Sequence, residues 1–169
     1  MKVLQVVGYK DAGKTTLVSE IVRELSSRGL LVGTVKHNAH DHEPDIPGTD
    51  TWKHREAGAH ATAMVSETRT LWRREVSTPL PDLIAAMQSA DMNAVIVEGF
   101  KQSSYPKLVL LRGDEDVELL KLPGVMAAVM QQSATEAESM AQRAGIPVFR
   151  TDNRQFDSIL RFVADWCMM

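Results

Sequence analysis

The sequence predicts an α/β fold with a mostly parallel sheet, and three observations carry that reading. Short apolar runs alternate with helical patterns along the chain. The runs are continuously apolar instead of alternating, the pattern of strands covered on both faces. The chain has 169 residues, the length of one domain, so a β-α-β succession implies one sheet with helices layered on it.

The elements follow in order. VLQVV (3–7), LLVGTV (30–35), NAVIV (93–97), KLVLL (107–111) and GVMAAVM (124–130) read as strands. Leu17, Val18, Ile21, Val22 and Leu25 recur at helical spacing after the first strand. Segments 60–65 and 69–73, split by a short polar turn, read as a β-hairpin inserted into the parallel framework. STPLPD ahead of Leu83, Ile84 and Met87 reads as a helix start. Phe156, Ile159, Leu160, Val163 and Trp166 form a closing helical stripe. Residues 36–50, KHNAHDHEPDIPGTD, are polar, with two prolines and a glycine. A loop of that length inside a compact domain is usually functional.

Composition narrows the classes. Apolar residues at 44% and charged residues at 24% suit an ordinary globular domain. A net charge of −3 argues against a nucleic-acid binder, which shows a basic footprint. There is no run of ~18 apolar residues, so no membrane span is expected. The opening MKVLQVVGYKDAGK meets a glycine and charges too early for a signal peptide. The single cysteine, Cys167, excludes a disulfide framework and a multi-cysteine zinc site. The expectation is a soluble cytoplasmic protein with one domain over residues 1–169.

Gly8, Gly13, Lys14 and Thr15 fit G-x-x-x-x-G-K-[ST] between a strand and a helix, and this specifies the fold as the P-loop NTPase type. Backbone N–H groups of such a loop converge on phosphate oxygens, and the helix N-terminus adds partial positive charge. Asp11 and Ala12 complete the turn, and Thr16 follows it into the helix. Lys14 would neutralise phosphate charge, and the Thr15 hydroxyl would hold Mg²⁺. Tyr9 stands at the loop's second position, and Lys10 reads as a solvated charge. A second strand tip must supply an acid for the metal. NAVIVEGF (93–100) places Glu98 there, with Gly99 beside it to bring a backbone N–H towards the γ-phosphate. Magnesium suits an oxygen-rich, phosphate-dependent site.

All five histidines fall between 37 and 60. His37, His40 and His42, among Asp41, Glu43 and Asp45, read in three ways: a phosphate-sensing switch loop, a plain polar surface, or a transition-metal site. Asp50 reads either as the cap of the next helix or as a group reaching the metal or an attacking water.

GYKDAGKTTL (8–17), VKHNAH (35–40), DIPGTDTWKHREAGA (45–59) and VEGFKQSSYPKLVLLR (97–112) together resemble the molybdopterin-guanine dinucleotide biosynthesis protein B family, in order and spacing from residue 2 to about 165. The resemblance implies a P-loop GTP-binding protein with weak GTPase activity. It implies a homodimer that assists the family's protein A, a molybdopterin guanylyltransferase, in joining GMP to molybdopterin. By matching position it implies that Gly13, Lys14, Thr15 and Thr16 bind phosphate and Mg²⁺, with Asp50 and Glu98 near the metal. Gly48, Arg55, Gly58 and Lys101 lie in the family's runs without an assigned role. The loop interior YKDA departs from the small residues usual there, and Asp11 sets a negative charge against phosphate. No N-K-x-D run is present; Asp152 in PVFRTDNRQ (147–155) reads as a guanine acceptor or as an N-cap. Two other classes stay open at this stage: a small-molecule kinase of the same fold, and a nickel-type metallochaperone GTPase suggested by the histidines.

Overall fold

The computed structural model describes residues 1–38, 46–131, 135–151 and 156–169. They fall into two compact units, Met1–His37 with Leu83–Met169, and Asn38–Asp82.

The first unit is a six-stranded, all-parallel sheet. Its strands are β1 (Lys2–Val7), β2 (Val32–Lys36), β5 (Ala94–Glu98), β6 (Lys107–Leu111), β7 (Val125–Met130) and β8 (Val148–Arg150), and the spatial order is β2-β5-β1-β6-β7-β8. The continuous apolar runs have a direct explanation in β6. Leu108 and Leu110 join one core layer with α1 (Lys14–Ser27) and α5 (Phe156–Met168). Val109 and Leu111 join the opposite layer with a 3₁₀ segment (Asp114–Lys121) and α4 (Thr135–Arg143). Both faces are covered, so from Leu108 to Leu111 the side chains on either face are apolar. Leu17, Ile21 and Leu25 of α1 meet Ile159 and Val163 of α5 in the first layer, as their helical spacing requires. The edge strand β2 is buried only at Gly33 and Val35.

Chain order reverses across β1, with β5 and β6 on its two sides. Crevices at the carboxyl ends of strands at such a switch point are where open α/β sheets bind ligands.

The second unit holds α2 (Asp50–Glu56) and an antiparallel hairpin of β3 (Ala61–Val65) and β4 (Thr70–Arg74), close to the expected 60–65 and 69–73. α3 (Leu80–Ser89) begins at STPLPD as expected. Among the described residues no helix is long and apolar enough to cross a membrane.

Candidate functional site

β1 ends at Val7 and α1 opens at Lys14; the intervening turn is the predicted cradle. Two of its residues take left-handed backbone, Asp11 at φ 62° and Gly13 at φ 74°. Asp tolerates that region better than most residues, and Gly13 takes it at no steric penalty. Ala12 is fully buried and anchors the turn in the core. Gly13 stands at the N-cap position, and no side chain among the described residues caps the helix. No acidic residue occupies the first turn. The first N–H groups of α1 are therefore left for an external acceptor, and the helix dipole favours an anion. Asp11, Gly13, Lys14, Thr15 and Thr16 line the depression in front of them. The Lys14 ammonium donates to the Tyr9 carbonyl at 2.6 Å, lying back over the loop.

Parallel register places the acid. Val6 pairs with Glu98 across β1 and β5, and Lys36 pairs with Glu98 across β2 and β5. The Thr15 hydroxyl lies 3.1 Å from both carboxylate oxygens of Glu98. The Lys36 ammonium contacts Glu98 Oε1 at 3.0 Å and donates to Thr15 Oγ1 at 3.2 Å. A cation thus sits against the hydroxyl and the carboxylate expected to hold Mg²⁺. The donor set fits a hard divalent ion. Lys36 was not singled out from the sequence. Its signal was its place at a strand tip, and only the register shows what it faces.

Gly99, at φ 96°, donates its N–H to the Val6 carbonyl at 3.0 Å. A Cβ at Gly99 would stand 2.9 Å from His37 Cβ, so the turn after Glu98 passes close to the end of β2. His37 tilts against Phe100 with ring centroids 4.7 Å apart. Phe100 itself is left-handed at φ 54°. Gln5, fully buried in β1, donates its amide to the Gly99 and Phe100 carbonyls at 3.0 and 2.8 Å. This side chain also escaped sequence reading, because a polar residue inside an apolar strand carries no motif.

The remaining expectations are placed as follows. Gly8 lies at the exit of β1. Asp50 is the first helical residue of α2 in the second unit. The capping reading is corrected by one position: Thr49 is the N-cap, accepting from the Trp52 N–H, because its extended backbone aims the hydroxyl at the helix start. Asp50 pairs instead with Lys53 at 3.3 Å. Of the histidine cluster only His37 is described; His40, Asp41, His42, Glu43 and Asp45 lie outside the described residues, as does Asp152. Among the described residues no group of three His, Cys, Asp or Glu side chains is arranged to hold a metal.

A parallel sheet that opens beyond its β1 strand into a glycine turn and an uncapped helix, with a carboxylate on the adjacent strand, defines a protein of the P-loop NTPase fold. The chain belongs to the molybdopterin guanine dinucleotide synthesis protein B (MobB) family, whose sequence profile matches residues 3–131. It is similar to a Bacillus subtilis (strain 168) protein named a probable molybdopterin-guanine dinucleotide biosynthesis adapter protein, 33% identical over 153 residues, covering 89% of this chain and 86% of that one. It is 35% identical over 115 residues to the Escherichia coli (strain K12) molybdopterin-guanine dinucleotide biosynthesis adapter protein, covering 64% and 65%. The crystal structure of Bacillus subtilis MobB superposes with a TM-score of 0.80 at 30% identity, covering 98% of this chain and 97% of that one.

Proposed function

We propose that this chain is an adapter in molybdopterin-guanine dinucleotide biosynthesis that binds GTP with Mg²⁺ and assists a molybdopterin guanylyltransferase. In this reading it acts in the cytoplasm as a homodimer, with residues 1–169 working as one nucleotide-binding domain. The observation that carries the nucleotide reading is the Thr15–Glu98 pair, bridged by an ammonium, at the mouth of an uncapped helix N-terminus. The relatives' names support the pathway.

The chain's own groups would divide the work. The N–H groups of Gly13, Lys14, Thr15 and Thr16 bind phosphate oxygens, and Lys14 swings from the Tyr9 carbonyl to neutralise them. Asp11 and Ala12 shape the turn. The Gly99 N–H, expected to face phosphate, is instead taken by the Val6 carbonyl in the sheet, and Thr15 and Glu98 would hold the metal. When bound, Mg²⁺ supplies charge neutralisation across the β- and γ-phosphates. Glu98 is the carboxylate of the first unit proposed to orient a water for slow hydrolysis.

Equilibrium binding of labelled GTP and ATP, with and without Mg²⁺, tests this. Mg²⁺-dependent preference for GTP, lost in Lys14→Ala with the fold intact, is the expected result. Preference for ATP would move the assignment to a small-molecule kinase. Light scattering should return twice the chain mass, and a monomer at micromolar concentration would remove the homodimer.

A further inference from the structure

Beside the cradle, two cations gather on one aromatic ring and a third on the backbone carbonyl of the same residue. The Lys101 ammonium sits 3.8 Å from the centroid of the Tyr9 ring, and the Arg112 guanidinium carbon 5.4 Å from it. Lys14 donates to the carbonyl of the same Tyr9. Tyr9 is 41% exposed, so the cluster opens to solvent. Cations are held at an aromatic face by its quadrupole, but like charges brought together there repel.

Each member is fixed by a separate device. The turn into Lys101 runs through Gly99 and Phe100, both left-handed, and the buried Gln5 amide ties both carbonyls. A non-glycine residue in that region stores strain and persists only where its surroundings hold it. The far end of the same loop is tied by Lys107, fully buried, which donates to the Ser103 carbonyl at 2.5 Å and to the Pro123 carbonyl. Arg112 is clamped by the fully buried Asp116, which accepts from Nε at 2.8 Å, from NH2 at 2.7 Å and from the Arg112 backbone N–H at 3.0 Å. That clamp uses only the Nε–NH2 edge of the guanidinium. Carboxylates near the cluster are Asp116, Glu115, which acts on Arg112, and Asp11 of the cradle turn. Lys101 is pushed below its ordinary value by burial first, then by Lys14 and Arg112, with Asp116 opposing. An incoming anion relieves that repulsion.

We propose that Tyr9, Lys101 and Arg112 form a second anion subsite, on the outer side of the cradle and sharing its Tyr9, that binds the phosphate group of a second small molecule. A phosphate dianion would take charge-assisted bonds from Lys101 and from the outer guanidinium edge of Arg112. Two sources share this chemistry: a phosphate monoester held next to the nucleotide, and inorganic phosphate released by hydrolysis. The choice of these two sources rests on the nucleotide reading; the subsite does not.

The test is calorimetric titration at low ionic strength with inorganic phosphate and with ribose 5-phosphate, each against protein saturated with Mg²⁺ and GDP. Wild type should bind, and Lys101→Met and Arg112→Met should each weaken binding at least tenfold with GDP affinity changed less than twofold. Lys101→Arg should retain binding, which guards against a merely misfolded variant. Tighter binding of the monoester assigns the subsite to an acceptor, and tighter inorganic phosphate assigns it to the released product. Unchanged phosphate affinity in both Met variants, or competition between phosphate and GDP for one site, overturns the proposal. Failure of GDP to bind wild type would count against the nucleotide reading alone. Phosphate titrated into nucleotide-free protein would then still read the subsite, as one binding equivalent lost in the double Met variant.

Discussion

Lys36 is the residue whose behaviour the site geometry constrains most closely. Its ammonium contacts both Thr15 and Glu98, so a divalent ion bound to that pair must displace it. The ion pair lies at the rim of the sheet, where such pairs contribute about 0.2–1 kcal/mol, roughly 1.4- to 5-fold in an equilibrium constant. Lys36→Met should therefore lower the half-saturating Mg²⁺ for GTP binding by about that factor. A Mg²⁺ titration at fixed GTP reads it, and a rise would mean that Lys36 helps hold the nucleotide. Asp116 makes a second residue-level prediction. The Arg112 guanidinium holds its carboxyl below the usual carboxylate range. A lowered folded pKa means that the unfolded chain takes up protons first as pH falls. The stabilisation is complete above the unfolded value near ~4 and is lost as pH drops through the folded value. Asp116→Asn should lose about 1.5–3 kcal/mol at pH near ~7. Urea unfolding at neutral and acid pH should show the gap to wild type closing on acidification, and a gap independent of pH would refute the charge-assisted clamp.

Among the elements, the turn after β5 is the most demanding. Gly99→Ala places a methyl 2.9 Å from His37 Cβ on a left-handed backbone at φ 96°. The backbone strain alone is worth about 1–3 kcal/mol. The variant should melt lower than wild type and lose Mg²⁺-dependent GTP affinity together with stability, since the turn directly follows Glu98 at the end of β5. Loss of stability with full affinity would separate the turn from the site. What sequence could and could not reveal divides at this level. The five strands of continuous apolar residues were legible because burial on both faces writes itself into composition, and the cradle was legible because its parts are contiguous. β8 has only three residues, all half-buried, and α4 reads TEAESMAQR with only Ala137 and Ala141 buried, so neither leaves an apolar stripe. The 3₁₀ segment DEDVELLK looks like a charged loop until Leu119 and Leu120 are seen against Val109 and Leu111. Lys36, Gln5 and the Tyr9–Lys101–Arg112 group depend on which strands neighbour which, a property of pairing that no local pattern encodes.

In the whole molecule, the core belongs to the first unit. No residue of α2, β3 or β4 is buried, so those elements lack the apolar interior that a cooperative transition of their own requires. Thermal unfolding should therefore show one calorimetric transition, that of the parallel sheet and its helices. The cradle is built from the centre of that sheet, between β1 and α1, with Glu98 contributed by β5. A ligand there binds only the folded unit and should raise its stability by mass action. At a free concentration of one hundred times Kd the gain is about 2.7 kcal/mol, and for a chain of this size that moves the midpoint by about 5–10 °C. GTP with Mg²⁺ should produce this shift, GTP with a chelator a smaller one, and Lys14→Ala should abolish both. A midpoint that ignores nucleotide at all concentrations would mean that the glycine turn is structural only. A second transition insensitive to nucleotide would show that residues 46–82 fold as a unit without help from a buried core, against the burial pattern that motivates the prediction.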